Sequence, residues 1–182
     1  MQIGYLKINK MKKLVIILLA IIPFLSFSQR AEKPLAPANK SGINWIPLEK
    51  AKVLARKHNQ KILIFFYKKD CAYCETMKQK TLSDPTVIKI IHNNFLPVKI
   101  DSRTKETIIY NGVSYGNQQP ASSGRHDWRH DFYAEVATFN YSGNPQITTP
   151  SIVLFNNRFE KISVIPGNKP KEHLLRLLKK YM

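Results

Sequence analysis

Apolar residues recur along this chain in two rhythms, and their alternation sets out its elements. Between Pro47 and Asn59, Leu48, Ala51, Leu54, Ala55 and His58 return at helical spacing, which predicts an amphipathic helix with Pro47 suited to its first turn. His58 near its end reads as a helix-terminal cation or a residue at the edge of the core. Lys61 to Tyr67 is short and uniformly apolar, the mark of a central strand buried on both faces. From Cys71 to about Thr81 a second helix is expected, with Met77 on its inner side. Ser83-Asp84-Pro85 is a helix start, an acceptor side chain followed by proline, and Val87, Ile88, Ile90 and Ile91 continue it as far as Asn93-Asn94. Phe95 to Ile100 is the next strand. Helix, strand, helix, strand in so short a span implies a crossover and a parallel strand pair.

After Asp101 the rhythm breaks. Thr107–Tyr110 and Val113–Tyr115 flank Asn111-Gly112, a strong hairpin signal. Gly116 to Gly124 reads as an exposed loop, and Asp127 to Phe139 as a helix with Phe132, Val136 and Phe139 on one face. Thr149-Pro150 precedes the apolar strand Ser151 to Phe155, Asn156-Asn157 turns the chain, and Glu160 to Ile165 returns as a hairpin partner. Gly167 interrupts the pattern. Pro170 to Tyr181 closes it with a helix whose Leu174, Leu175, Leu177 and Leu178 dock on the sheet. No internal repeat is visible.

The first residues do not join this pattern. Met11-Lys12-Lys13, the apolar run Leu14 to Leu25 and the small residues Ser26 and Ser28 on either side of Phe27 have the order of an export leader, with cleavage expected before Gln29. Residues 1–28 are therefore read as a signal peptide, with either Met1 or Met11 as the start. The apolar run is shorter than a spanning helix needs and contains Pro23, which argues against a retained anchor. Residues 29–43, with Pro34 and Pro37 and no apolar period, form a flexible linker, and 44–182 form one folded domain. Of the 182 residues 43% are apolar, enough for a core.

Charge changes the picture less than its size suggests. The net formal charge is +17, and removing a leader with four lysines and no acid leaves 25 basic against 12 acidic residues. The lysines are spread along the chain and the aromatics do not interleave with them, so a stacking platform for nucleic acid is not indicated. A solvated basic surface is the simpler reading. It leaves a weak preference for acidic partners or anionic lipid surfaces.

The chemistry concentrates in Asp70-Cys71-Ala72-Tyr73-Cys74-Glu75, which holds the only two cysteines of the chain. A cysteine at a strand-to-helix corner meets free backbone N–H groups and the positive end of the helix dipole, and both favour thiolate over thiol. Lys68 and Lys69 act in the same direction and Asp70 opposes them. As a structural staple the pair is poorly placed, because closing so small a loop contributes only about 2 kcal/mol in chain-entropy terms. Thiol-disulfide exchange is the expected use, and no cofactor is implied, since the two sulfurs carry the electrons.

With these residues in view, the chain resembles the thioredoxin superfamily. The resemblance rests on the strand ending in Phe66-Tyr67, the CAYC motif at a helix start, and Thr149-Pro150 before Ile152 to Phe155. More narrowly, Trp45, the stretch Thr81-Leu82-Ser83-Asp84-Pro85-Thr86-Val87 and Phe95-Leu96-Pro97-Val98 resemble exported bacterial thioredoxin-like proteins. They also resemble the C-terminal periplasmic domain of the thiol:disulfide interchange reductase. The likeness covers 44–100 and 147–181, and 101–146 is similar to an insertion found in some of these proteins. It implies an α/β thioredoxin-like fold, a central mixed sheet flanked by helices, with a hairpin and helix inserted before the cis-proline strand.

It further implies that Cys71 attacks and Cys74 resolves. Pro150 would be a cis-proline facing them, and Thr149, Pro150 and Tyr73 would meet the substrate as an added strand. The expected partners are disulfide-containing exported proteins and an extracytoplasmic or membrane redox donor, and the expected location is the periplasm. Two positions depart from the thioredoxin pattern. Phe65 stands where thioredoxins carry a buried acid, and Asp70 where they carry tryptophan. The proton of the second cysteine would then pass to Glu75 or to a water.

Two other functional classes fit the same residues. His126 and His130, spaced His-x3-His, complete a Cys2His2 set with Cys71 and Cys74 for zinc or copper, although the 51-residue gap from Cys74 to His126 is far outside the zinc-finger range. The simpler reading of the two histidines is a polar helix start with Asp127 as cap. A binding module without turnover would use 101–146 to hold partners, with Trp128, Phe132 and Tyr133 either facing the partner or, as aromatic residues at helical spacing more often do, filling the core.

Overall fold

A computed structural model describes residues 42–117 and 129–182. The core is a four-stranded mixed sheet. Strand β1 (Lys61–Tyr67) runs parallel to β2 (Phe95–Asp101), with Lys61 opposite Phe95 and Tyr67 opposite Asp101. On its other side β1 pairs antiparallel with β7 (Ser151–Phe155), which pairs with β8 (Lys161–Pro166) across the Asn156-Asn157 turn. The expected crossover between β1 and β2 is made by two helices, α2 (Ala72–Lys80) and α3 (Pro85–Asn94).

The uniform apolar character of β1 follows from its place. Ile62 to Phe66 are all buried, and successive side chains divide between two cores. Ile62, Ile64 and Phe66 join Val153 and Phe155 on the face covered by α1 (Leu48–His58) and α4 (Asp131–Ala137). Leu63 and Phe65 join Ile152 and Leu154 on the opposite face, with Met77, Val87, Ile91, and Leu174 and Leu178 of α5 (Lys171–Lys179). Pro47 precedes α1, Asn59 ends it in the left-handed region at φ 51°, and Arg56, Lys57 and His58 occupy its last turn.

Asp84 caps α3 as its sequence requires, accepting from the N–H groups of Thr86 and Val87 at 2.9 and 3.3 Å. Its other oxygen lies 2.9 Å from Lys171 Nζ at the start of α5. The hydrogen bond from Lys171 and the two capping N–H groups hold the Asp84 carboxyl below its ordinary range, against a smaller opposing effect of desolvation. A carboxylate whose folded-state pKa is depressed contributes stability above its unfolded value and loses it as pH falls through the folded one. Asp84→Ala should therefore lower the melting temperature by a few degrees at neutral pH. In thermal scans the gap to wild type should narrow as the pH drops below about 4.

The segment 101–146 differs from its sequence pattern in one element. The first hairpin is present, with β3 (Ile108–Tyr110) and β4 (Val113–Tyr115) joined by Asn111 and Gly112 at φ 50° and 75°. The helix expected from Asp127 to Phe139 spans only Asp131–Ala137 in the described residues. Phe139 opens a second hairpin instead, β5 (Phe139–Tyr141) with β6 (Asn144–Gln146), turned by Ser142 and Gly143 at φ 50° and 82°. His126, Asp127 and Trp128 lie outside the described residues, as does most of the expected loop 116–124. The cap of α4 is His130, whose Nδ1 accepts the Phe132 N–H at 3.1 Å. Phe132 and Tyr133 are buried in the core.

Candidate active site

The CxxC pair sits where the chain leaves the carboxyl end of β1. Residues Lys69 and Asp70 turn the backbone, and Asp70 adopts φ 57°, a left-handed conformation that aspartate tolerates better than most residues. Cys71 then becomes the N-cap of α2, its carbonyl accepting the Glu75 N–H at 3.0 Å. Its Sγ accepts the N–H of Cys74 at 3.2 Å, so one of the orphan donors of the helix start points at sulfur.

Cys71 and Cys74 are joined as a disulfide, with their Cα atoms 5.2 Å apart. The two cysteines are not equivalent. Cys71 retains 7% exposure, whereas Cys74 retains none. Tyr73, between them, is 70% exposed and stands at the rim.

Facing the pair is the turn before β7. The Thr149–Pro150 bond is cis, and the Thr149 carbonyl oxygen lies 3.9 Å from Cys71 Sγ. Pro150 is buried, and its carbonyl accepts the Gly167 N–H at 2.8 Å, which ties this turn to the end of β8. Thus Cys71, Cys74, Thr149 and Pro150 come together from segments almost eighty residues apart in sequence.

Phe65, six residues before Cys71, occupies the face that carries α2 and is completely buried. It stacks on Trp45 at 6.0 Å and on Tyr67 at 6.3 Å between ring centroids. Lys78 and Lys99 place their ammonium groups 4.7 and 5.3 Å from the centre of the Tyr67 ring. Glu75 is exposed and ion-paired with Lys78 Nζ at 2.6 Å. Its carboxylate is committed to a surface pair, which leaves a water as the simpler acceptor for the Cys74 proton.

The four-ligand metal reading loses one of its ligands. Both ring nitrogens of His130 face backbone groups: Nδ1 accepts from Phe132, and Nε2 stands 2.9 Å from the Glu106 carbonyl oxygen, to which it donates. Among the described residues no cluster of three or more His, Cys, Asp or Glu side chains has the arrangement of a metal site. Two contacts to the site were not visible in the sequence pattern. Arg103 Nη2 donates to the Lys69 carbonyl at 3.1 Å, and the Tyr133 hydroxyl donates to the Thr148 carbonyl at 2.6 Å. Both come from the inserted segment, and only tertiary folding brings them to these loops.

A family model described as a thioredoxin-like domain matches residues 48–182. Among solved structures, a thioredoxin from Thermus thermophilus aligns over 76% of this chain and 86% of its own at 20% identity, with a TM-score of 0.50. A structure titled DsbH Oxidoreductase aligns over 85% of this chain and 94% of its own at 12% identity, with a TM-score of 0.53. At these identities the structural likeness speaks for the fold. No curated protein is significantly similar to the chain.

Proposed function

From the premise that this chain belongs to the thioredoxin-like domain family, and carries its oxidoreductase fold with a CxxC pair, we propose that it is an exported dithiol-disulfide oxidoreductase. It reduces or isomerises disulfides of other exported proteins. The observation that carries the reading is the asymmetry at the helix start. Cys71 caps α2, receives an N–H on sulfur and lies beside the carbonyl that precedes the cis-proline, while Cys74 is sealed beneath it.

In the reduced protein Cys71 is the attacking thiolate. It displaces one sulfur of a substrate disulfide, forming a mixed disulfide and releasing one substrate thiolate. Cys74 gives its proton to water and attacks the Cys71 sulfur, which restores the Cys71–Cys74 bond and releases the second substrate thiolate. Two electrons pass to the substrate in each cycle. A dithiol donor returns them to the pair, and reversing the cycle oxidises a substrate dithiol.

The substrate segment runs in extended form beside Thr149 and Pro150, with Tyr73 as an apolar contact at the rim. Export rests on the leader pattern of residues 1–28. Among the described residues no helix is long and apolar enough to cross a membrane.

The test is turnover of a disulfide-bonded protein such as insulin with a small dithiol as donor. The purified chain should accelerate reduction well above the donor alone. A chain that folds and binds the same substrate without acceleration is a binding module instead. N-terminal sequencing of protein recovered from the periplasm tests export, with Gln29 as the expected first residue.

A further inference from the structure

The inserted segment 101–146 has no part in the exchange steps, yet one of its side chains reaches the turn that faces Cys71. Tyr133, on α4, is 1% exposed, and its ring lies 4.8 Å from that of Phe66 on β1. From that fixed position its hydroxyl donates to the Thr148 carbonyl at 2.6 Å.

The consequence follows from the planarity of the peptide unit. The Thr148 carbonyl and the Thr149 N–H belong to one rigid plane, so a hydrogen bond that holds the first also sets the direction of the second. Thr149 is the residue whose carbonyl lies 3.9 Å from Cys71 Sγ and whose peptide bond to Pro150 is cis. Its N–H and C=O are the groups available to pair with an extended chain beside the reactive sulfur.

The geometry points to Tyr133 as a positioning residue for peptide substrates: its phenol locks the Thr148–Thr149 peptide so that the Thr149 backbone is set to pair with an extended segment at Cys71. This rests on the exchange reading given above. The donor is well suited to a constant task. Burial pushes the Tyr133 phenol up to about 12, so it remains neutral and protonated across the range in which thiols exchange. The ring itself is held by Phe66, and α4 is anchored at its start by His130, whose N–H bonds the Ser102 carbonyl at 2.8 Å.

Tyr133→Phe keeps the ring and removes the hydroxyl. The experiment measures second-order rate constants of the reduced wild-type and variant proteins with two oxidants. One is a disulfide-closed peptide with several residues flanking the bond, and the other is the symmetric aromatic disulfide of thionitrobenzoate, which has no backbone to pair. The ratio of the peptide rate to the small-disulfide rate should fall about tenfold in the variant, the size expected for loss of one buried hydrogen bond. An unchanged ratio overturns the proposal, whether both rates stay the same or both fall together through loss of fold. If the wild-type protein reacts with the small disulfide and not with the peptide, the exchange reading itself fails, and the inference with it.

Discussion

Cys71→Ser is expected to reduce the turnover of a protein disulfide to the rate of the dithiol donor alone. A serine hydroxyl is not ionised at neutral pH, so the helix start that favours a thiolate has no nucleophile left to stabilise. Cys74 does not replace it, because its sulfur is completely buried beneath the position it would have to reach. Cys74→Ser should fail differently. The first attack survives, no resolving thiol follows, and the protein stalls as a covalent adduct after a single event. Steady-state turnover falls in both variants, but only Cys74→Ser consumes substrate in an initial burst. Turnover persisting in Cys71→Ser would show that Cys71 is not the attacking cysteine.

Phe132→Ala is expected to cost about 3–5 kcal/mol of folding stability, measured by urea unfolding. Phe132 is completely buried, and its ring lies against those of Phe66, Tyr110, Tyr115, Phe155 and Phe159, at centroid distances between 5.5 and 6.3 Å. It joins the inserted helix, the inserted hairpin and two strands of the main sheet in one aromatic cluster. Truncation leaves a cavity that rigid neighbours fill poorly. Against a total stability of about 5–15 kcal/mol, such a loss places the domain close to unfolding. A cost below about 1 kcal/mol would mean that 101–146 is an appendage whose packing the sheet does not need.

The parts of this fold that were legible in the sequence are those whose signal is contiguous. Ile62 to Phe66 announce a strand buried on both faces because no polar residue interrupts them, and the sheet places β1 between two neighbours. Asp84-Pro85 announces a helix start because cap and first-turn proline are adjacent, and the cap bonds form. Cys71 and Cys74 were legible from their own local motif, whereas Thr149 and Pro150 joined them only through the family resemblance, since a lone Thr-Pro reads as an ordinary turn; the fold brings all four together.

What escaped was tertiary or coincidental. Phe132, Val136 and Phe139 keep helical spacing, yet α4 stops at Ala137 and Phe139 starts a three-residue strand, too short to impose its own period. The signal that marks this boundary is Ser142-Gly143, a turn pair whose hairpin strands are mostly exposed and carry little apolar pattern. The His-x3-His spacing suggested a ligand, but the ring of His130 turns inward and satisfies two backbone groups. Tyr133 offered no local sign of its hydrogen bond to Thr148, since the partner lies fifteen residues away and is a backbone carbonyl, which no sequence distinguishes.

Trapping the mixed disulfide tests most directly whether Cys71 is the attacking thiol. Reduced Cys74→Ser is mixed with a disulfide-closed peptide, quenched with acid and analysed by non-reducing mass spectrometry with peptide mapping. The expected result is a one-to-one adduct linked through Cys71, and none from Cys71→Ser under the same conditions. The absence of any adduct in Cys74→Ser, or an equal yield of adduct at Cys74 in Cys71→Ser, would contradict it.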